Sequence, residues 1–194
     1  MAGVVWSPAF GDFGKLKDAL ECTSFLATTV AAVVAIYALN AWKAQFRHAE
    51  RFTTLKSLKD TATDLHLYRG YLLAIIAVGE SMRARDEARV GALQEVAMQK
   101  REKLLGAFSA YNKSWASAVP FFTVEEESKF PGAPDKFISL FLVRPAQIYE
   151  ACERYIESGQ EDIYQGFLKE IDDEAKELYA STVRDIEVML RRKV

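Results

Sequence analysis

Any metal or acid–base chemistry in this chain has to start from very few residues. There are two histidines, His48 and His66, and two cysteines, Cys22 and Cys152. The histidines stand eighteen residues apart. On one continuous helix that is five full turns, which puts them on a shared face but about 27 Å apart. Ligands of one metal ion must converge on a single point, so this pair cannot hold one within a chain. Neither histidine has a glutamate three residues before it, the spacing of a di-iron bundle site. Cys152 has no base nearby in the sequence and reads as a buried, inert thiol. A CxxC pair, HExxH, GxSxG and a Gly-rich phosphate loop are all absent. The sequence therefore names no catalytic residue, no metal ligand and no cofactor.

Charge excludes a further class. Lys plus Arg is 25 against 27 Asp plus Glu, a net charge of −2, without the basic excess of a nucleic-acid protein. The charges are unevenly spread. Lys43 to Arg69 holds six basic and three acidic residues, while Glu157 to Glu177 holds eight acidic and two basic. Solvated helix faces account for both runs. The other reading is that the acidic helix packs on, or binds, a basic surface of the same protein or of a partner.

The elements that must carry these residues begin with Cys22 to Trp42, CTSFLATTVAAVVAIYALNAW, which contains no charge. Twenty-one residues at about 1.5 Å each give roughly 31 Å, the thickness of a hydrocarbon core. Tyr37 and Trp42 lie toward one end, where amphipathic rings favour the interface. The run starts late and is preceded by Asp12, Asp18 and Glu21, which fits a cleaved signal peptide poorly. Lys15 and Lys17 are the only basic residues before the span. Lys43, Arg47, Arg51, Lys56 and Lys59 follow it closely. The positive-inside rule then puts the C-terminal side in the cytoplasm and the tail, residues 1–21, outside. Trp42, Lys43, Arg47 and Arg51 become the membrane-interface residues, the last three forming one ridge at four-residue steps. Within the span, Ala27, Ala31 and Ala35, with Ser24, Thr28 and Ala32 beside them, make a small-residue face that suits lateral self-association. In the tail, Trp6, Phe10, Phe13, Leu16 and Leu20 recur at helical steps and suggest a short interfacial helix.

Residues 43–194 read as a helical domain. Proline is absent between Pro8 and Pro120, and good helix formers dominate. Phe52, Leu55, Leu58, Leu65, Leu72 and Ile76 trace one buried face. Tyr71 to Val78 is apolar all round, as expected of a segment covered by partner helices. Gly79 to Arg89 is the expected turn. A second helix, from about Val90 to Ala118, carries Leu104, Phe108, Tyr111 and Trp115. Pro120 ends it, and Pro120 to Pro134 is irregular, with Thr123 and Glu126 spaced as a capping box. A third helix starts near Asp135 with Phe137, Phe141, Ile148 and Ile156 as its face, and Pro145 should kink or split it. Ser158 to Glu161 breaks it and offers a capping box to the last helix. That helix has Ile163, Phe167, Ile171, Leu178, Ile186 and Leu190 or Met189 as its stripe, with acids opening it and basic residues closing it. The fold class expected is all-α: an N-terminal transmembrane helix continuing into a bundle of about four helices.

The stretch YALNAWKAQFRHAERFTTLKSL resembles a loose set of uncharacterised bacterial single-pass proteins, in which one N-terminal span runs into a Trp-Lys-x-Gln stretch and a helical cytoplasmic domain. The resemblance implies an anchored helical architecture and a bacterial inner membrane, and it brings no activity. The function expected is tethering. The bilayer holds an adaptor or scaffold domain whose helices bind a protein partner or a second copy, and confinement strengthens weak contacts. An oligomerising effector that perturbs the bilayer is the alternative, and a membrane-tethered enzyme is the third reading.

Overall fold

A computed structural model describes residues 13–191, and all of its regular elements there are helical. They are α1 (Phe13–Thr63), a 3-10 turn (Asp64–His66), α2 (Leu67–Arg83), α3 (Glu87–Ala118), a second 3-10 turn (Val119–Phe121), α4 (Val124–Lys129), α5 (Pro134–Ser158) and α6 (Glu161–Arg191). The chain divides into two units, Met1–Ala49 and Glu50–Val194.

In the first unit the described backbone is α1 alone. Its start at Phe13 precedes the uncharged run. Trp6 and Phe10 of the tail pattern lie outside the described residues. The Thr28 and Thr29 hydroxyls donate to the carbonyls four residues back, Ser24 and Phe25, so these polar groups are satisfied within the helix.

In the second unit α2 is the central helix, with α3, α5 and α6 packed on it. Its sequence explains that position. Tyr71, Leu72, Ala74, Ile75, Ile76 and Val78 are all buried, which no helix with one covered face could achieve. Leu55, Leu58 and Leu65 extend the same core backward, as their spacing predicts, although Phe52 is exposed. On α3 the buried residues are Ala97, Leu104, Tyr111 and Ala118, one every seven residues, the repeat of a coiled-coil seam. Phe108 and Trp115 are partly buried beside that seam.

The turns differ from expectation in two places. Gly79 to Arg83 remain helical, and the turn occupies only Ala84 to Asp86. Gly79 is there for packing: a Cβ on it would lie 3.4 Å from Cys152 Sγ. The reversal is made by Arg85, which takes a left-handed φ of 57°, and by Asp86, whose carboxylate accepts from Arg89 N and caps α3. At the other break, Ser158 is the last residue of α5 rather than a cap for α6. Gly159, at φ 66°, stops α5, and its N–H donates to Tyr155 O. The Thr123–Glu126 capping box does form, with both reciprocal hydrogen bonds present. Pro145 does not split α5, which runs unbroken through it.

The two predicted apolar stripes face the core except at one residue each, Ile163 and Ile156, and further residues join them. On α6 the buried set is Tyr164, Leu168, Ile171, Ala175, Thr182, Ile186 and Met189, while Ile163 is exposed. On α5, Cys152 takes the buried place and Ile156 is exposed.

The irregular connection from α3 to α5 is locked onto this core. Phe130 is buried and stacks on Trp115 at 5.0 Å between ring centroids, and Phe122 meets both edge-on. The Tyr111 hydroxyl donates to Gly132 O at 2.6 Å. Lys136 Nζ donates to Phe130 O at 2.7 Å.

Candidate functional site

The span and juxtamembrane residues singled out in the first unit are on the surface of the chain. Ala27, Ala31, Ala35, Lys43 and Arg47 are exposed. Trp42 is exposed and pairs with Phe46, ring centroids 5.9 Å apart. Phe25, Leu26, Val30, Val33, Val34, Ile36 and Leu39 are each at least 48% exposed. One 18-residue window of this helix reaches a mean hydropathy of 1.9, and none of that window is buried. A core helix of a soluble domain would be covered by its own chain. Each large apolar side chain that finds an apolar environment gains about 1.5–3 kcal/mol. Seven of them together stand for an upper bound of order 10–20 kcal/mol, as much as the net stability of a whole domain.

Arg51 is placed differently from Lys43 and Arg47. Its side chain is mostly buried in the second unit, and one guanidinium nitrogen donates to both carboxylate oxygens of Glu126, at 3.2 and 3.4 Å. Glu126 also accepts from Thr123 N in the capping box, so one carboxylate ties α1 to α4 and starts α4. Only proximity of residues 75 apart in the chain reveals this partner, which is why four-residue spacing could not.

The acidic run of α6 meets basic residues of its own chain. Arg69 on α2 clamps Asp172 through two nitrogens, and Lys176 joins the same carboxylate at 2.6 Å. The Arg69 and Lys176 hydrogen bonds hold the Asp172 carboxyl below the usual carboxylate range. Arg144 on α5 pairs with Glu174, Lys59 on α1 with Glu187, and Arg83 on α2 with Glu161. This is the packing alternative for the uneven charge: the acidic helix is held by basic partners from three other helices.

The histidines and cysteines are not brought together. The 3-10 turn at Asp64–His66 interrupts the continuous helix that the five-turn spacing assumed. His66 Nδ1 lies 2.6 Å from Thr63 O, and its ring meets Tyr179 edge-on. Cys22 is exposed and Cys152 is buried, both as free thiols. Cys152 Sγ donates to Gly79 O at 3.1 Å, and burial raises its pKa, so the thiolate is disfavoured. Among the described residues no group of three or more His, Cys, Asp or Glu could hold a metal ion.

Grooves cut the second unit at several places, and two of them lie between its long helices. The larger, about 530 Å³, lies between α5 and α6, with stacked Tyr155 and Tyr164 in its lining and exposed Ile163 beside them. A smaller one, about 380 Å³, opens between α3 and α5 over α2. Sequence reasoning singled out neither groove, because each is lined by residues from helices far apart in the chain.

Comparison with family models, with curated proteins and with solved structures finds no match.

Proposed function

We propose that this chain is a membrane-anchored helical interaction module. Cys22 to Trp42 is the span, residues 1–21 are extracytoplasmic, and the helical domain is held at the cytoplasmic face of a bacterial inner membrane. The observation that carries the reading is the uncovered apolar helix: an 18-residue window with mean hydropathy 1.9 and no buried part. Trp42 sits where an aromatic ring meets headgroups. Lys43 and Arg47 are exposed one and five residues further, where each contributes about 1 kcal/mol against an anionic leaflet. Arg51, already paired with Glu126, acts in the fold of the domain.

The work of the domain is taken to be binding a protein: its histidines and cysteines are dispersed, and Glu126, Asp172, Glu174 and Glu187 are engaged in pairs between helices. Confinement to two dimensions raises the effective concentration of partner and domain and strengthens a weak contact. The alternative is an effector that oligomerises through the span. The small face at Ala27, Ala31 and Ala35, exposed and opposed by bulky Phe25, Val33 and Ile36, favours that reading.

Alkaline carbonate extraction of membranes, followed by cross-linking in mild detergent, tests the proposal. Retention in the pellet and a cross-linked complex with a different protein support the module. Release into the supernatant removes the anchor. A ladder of homo-oligomers with ion leakage supports the effector.

A further inference from the structure

The groove between α3 and α5 has the chemistry of a small-molecule site. Its floor is Tyr71 and Ile75 on α2, and its walls are Ala97, Met98 and Arg101 on α3 and Tyr149 on α5, with Gln94 at the rim. At about 380 Å³ it falls within the ordinary range of ligand cavities, about 300–1,000 Å³. Ile75, Ala97 and Met98 give it an apolar body. Its polar groups are three donors without an acceptor. The Tyr71 ring is buried, while its hydroxyl makes no hydrogen bond to any described residue and is open to water. The Tyr149 hydroxyl has none either, and Arg101 has no carboxylate partner among the described residues.

The cation is held in place. The Arg101 guanidinium lies 6.0 Å from the centroid of Phe141, and the same ring packs against Tyr71 at 5.6 Å. Phe141 therefore backs both the arginine and the Tyr71 ring. Arg101, Tyr71 and Tyr149 all line this one groove. A guanidinium and two phenols lining one groove are donors for an oxyanion. The apolar remainder rejects an inorganic anion and suits a hydrocarbon tail.

We infer that the α3–α5 groove binds a small carboxylic acid with an apolar body, its carboxylate on Arg101, Tyr71 and Tyr149 and its hydrocarbon against Ile75, Ala97 and Met98. The apolar part is a short chain or a single ring, because the groove is small. A bound acid would add to the contacts that Tyr111 and Arg101 on α3 already make with Phe137 and Phe141 on α5.

The test is calorimetric titration of the full chain, in a non-ionic detergent, with hexanoate and with hexanamide. Hexanoate should bind saturably and the uncharged amide at least about tenfold more weakly, the worth of one charge-assisted hydrogen bond. Arg101→Gln should lose about tenfold or more in hexanoate affinity with a nearly unchanged melting temperature, because the side chain is exposed and its contact with the Phe141 ring is a weak surface one. Arg101→Lys should recover part of the loss. Tyr71→Phe should weaken hexanoate and leave hexanamide unaffected. Equal binding of acid and amide would show partition into an apolar surface and overturn the inference. So would an affinity indifferent to Arg101→Gln, or no saturable heat at all.

Discussion

Gly132→Ala probes the lock between the irregular connection and α6. Gly132 has no positive φ among the described backbone angles, so alanine fits its backbone. In open space the change would stabilise by about 0.4–1 kcal/mol through the unfolded chain. The surroundings reverse that sign. A Cβ there would stand 2.6 Å from Thr182 Oγ1, closer still to Thr182 Cγ2, and 3.0 Å from Phe130 Cε1. Thr182 is fully buried on a rigid helix, and its hydroxyl donates to Leu178 O, so it has no free rotamer to yield. Overpacking of this kind costs about 1–3 kcal/mol, and Gly132→Ala should destabilise by that amount. Thr182→Ala alone should cost about 1–2 kcal/mol for a methyl group and a hydrogen bond. It also removes both clashing atoms. In that background Gly132→Ala should become neutral or slightly stabilising, giving a coupling of about 1.5–3 kcal/mol between the two sites. Urea unfolding of the four proteins, followed by the helical circular dichroism signal, measures this cycle. A cost for Gly132→Ala below about 0.5 kcal/mol, or the same cost in both backgrounds, would refute the packing of the connection on α6.

Other perturbations separate fold from anchor. Arg51→Ala leaves the Glu126 carboxylate without its guanidinium in a mostly buried place, and should cost about 2–4 kcal/mol in the same unfolding assay. Lys43→Gln with Arg47→Gln should leave stability unchanged and scramble membrane orientation, read by protease protection; normal orientation would make these residues a binding surface instead. Burial raises the pKa of Tyr68, Tyr111 and Tyr164 above the ordinary tyrosine value of about 10. A raised value means the folded state holds its protons longer, so their contribution is complete below about pH 10 and declines as pH rises past it. Phenolate absorbance should therefore appear together with loss of helix in alkali, and a smooth titration of every tyrosine near pH 10 with the helix intact would contradict their burial.

The sequence displayed some parts of this fold because they are local. The seam of α3 was readable from Leu104 and Tyr111, since one helix repeats its contact every seven residues. The Thr123–Glu126 box was readable because a cap needs only four residues. The stripe of α6 was read in part: Ile171, Ile186 and Met189 are buried, but the seam also passes through Ala175 and Thr182. Those are small residues that let neighbours approach, and hydrophobic spacing gives them no weight. Tyr164 was overlooked for a similar reason, since a ring with a hydroxyl can be buried as fully as Ile171. Gly79 resembled a turn but serves contact with Cys152, and Arg85 turns the chain without a turn residue's signature. The pairs Arg51–Glu126 and Arg69–Asp172 and the three donors of the α3–α5 groove depend on residues 30 to 103 positions apart, and no window along the chain joins them.

The central claim is that one span separates the tail from the helical domain, and labelling from outside the cell tests it most directly. Two single-cysteine variants, Ser7→Cys and Lys103→Cys, are made in a background with Cys22 and Cys152 replaced by serine. Lys103 is exposed on α3, so its cysteine will react wherever the reagent can reach. A membrane-impermeant maleimide applied to intact expressing cells should label the cysteine at position 7 at once. It should label the one at position 103 only after the membrane is permeabilised. Labelling at position 103 in intact cells would contradict the orientation, and recovery of either variant in the soluble fraction would contradict the anchor itself.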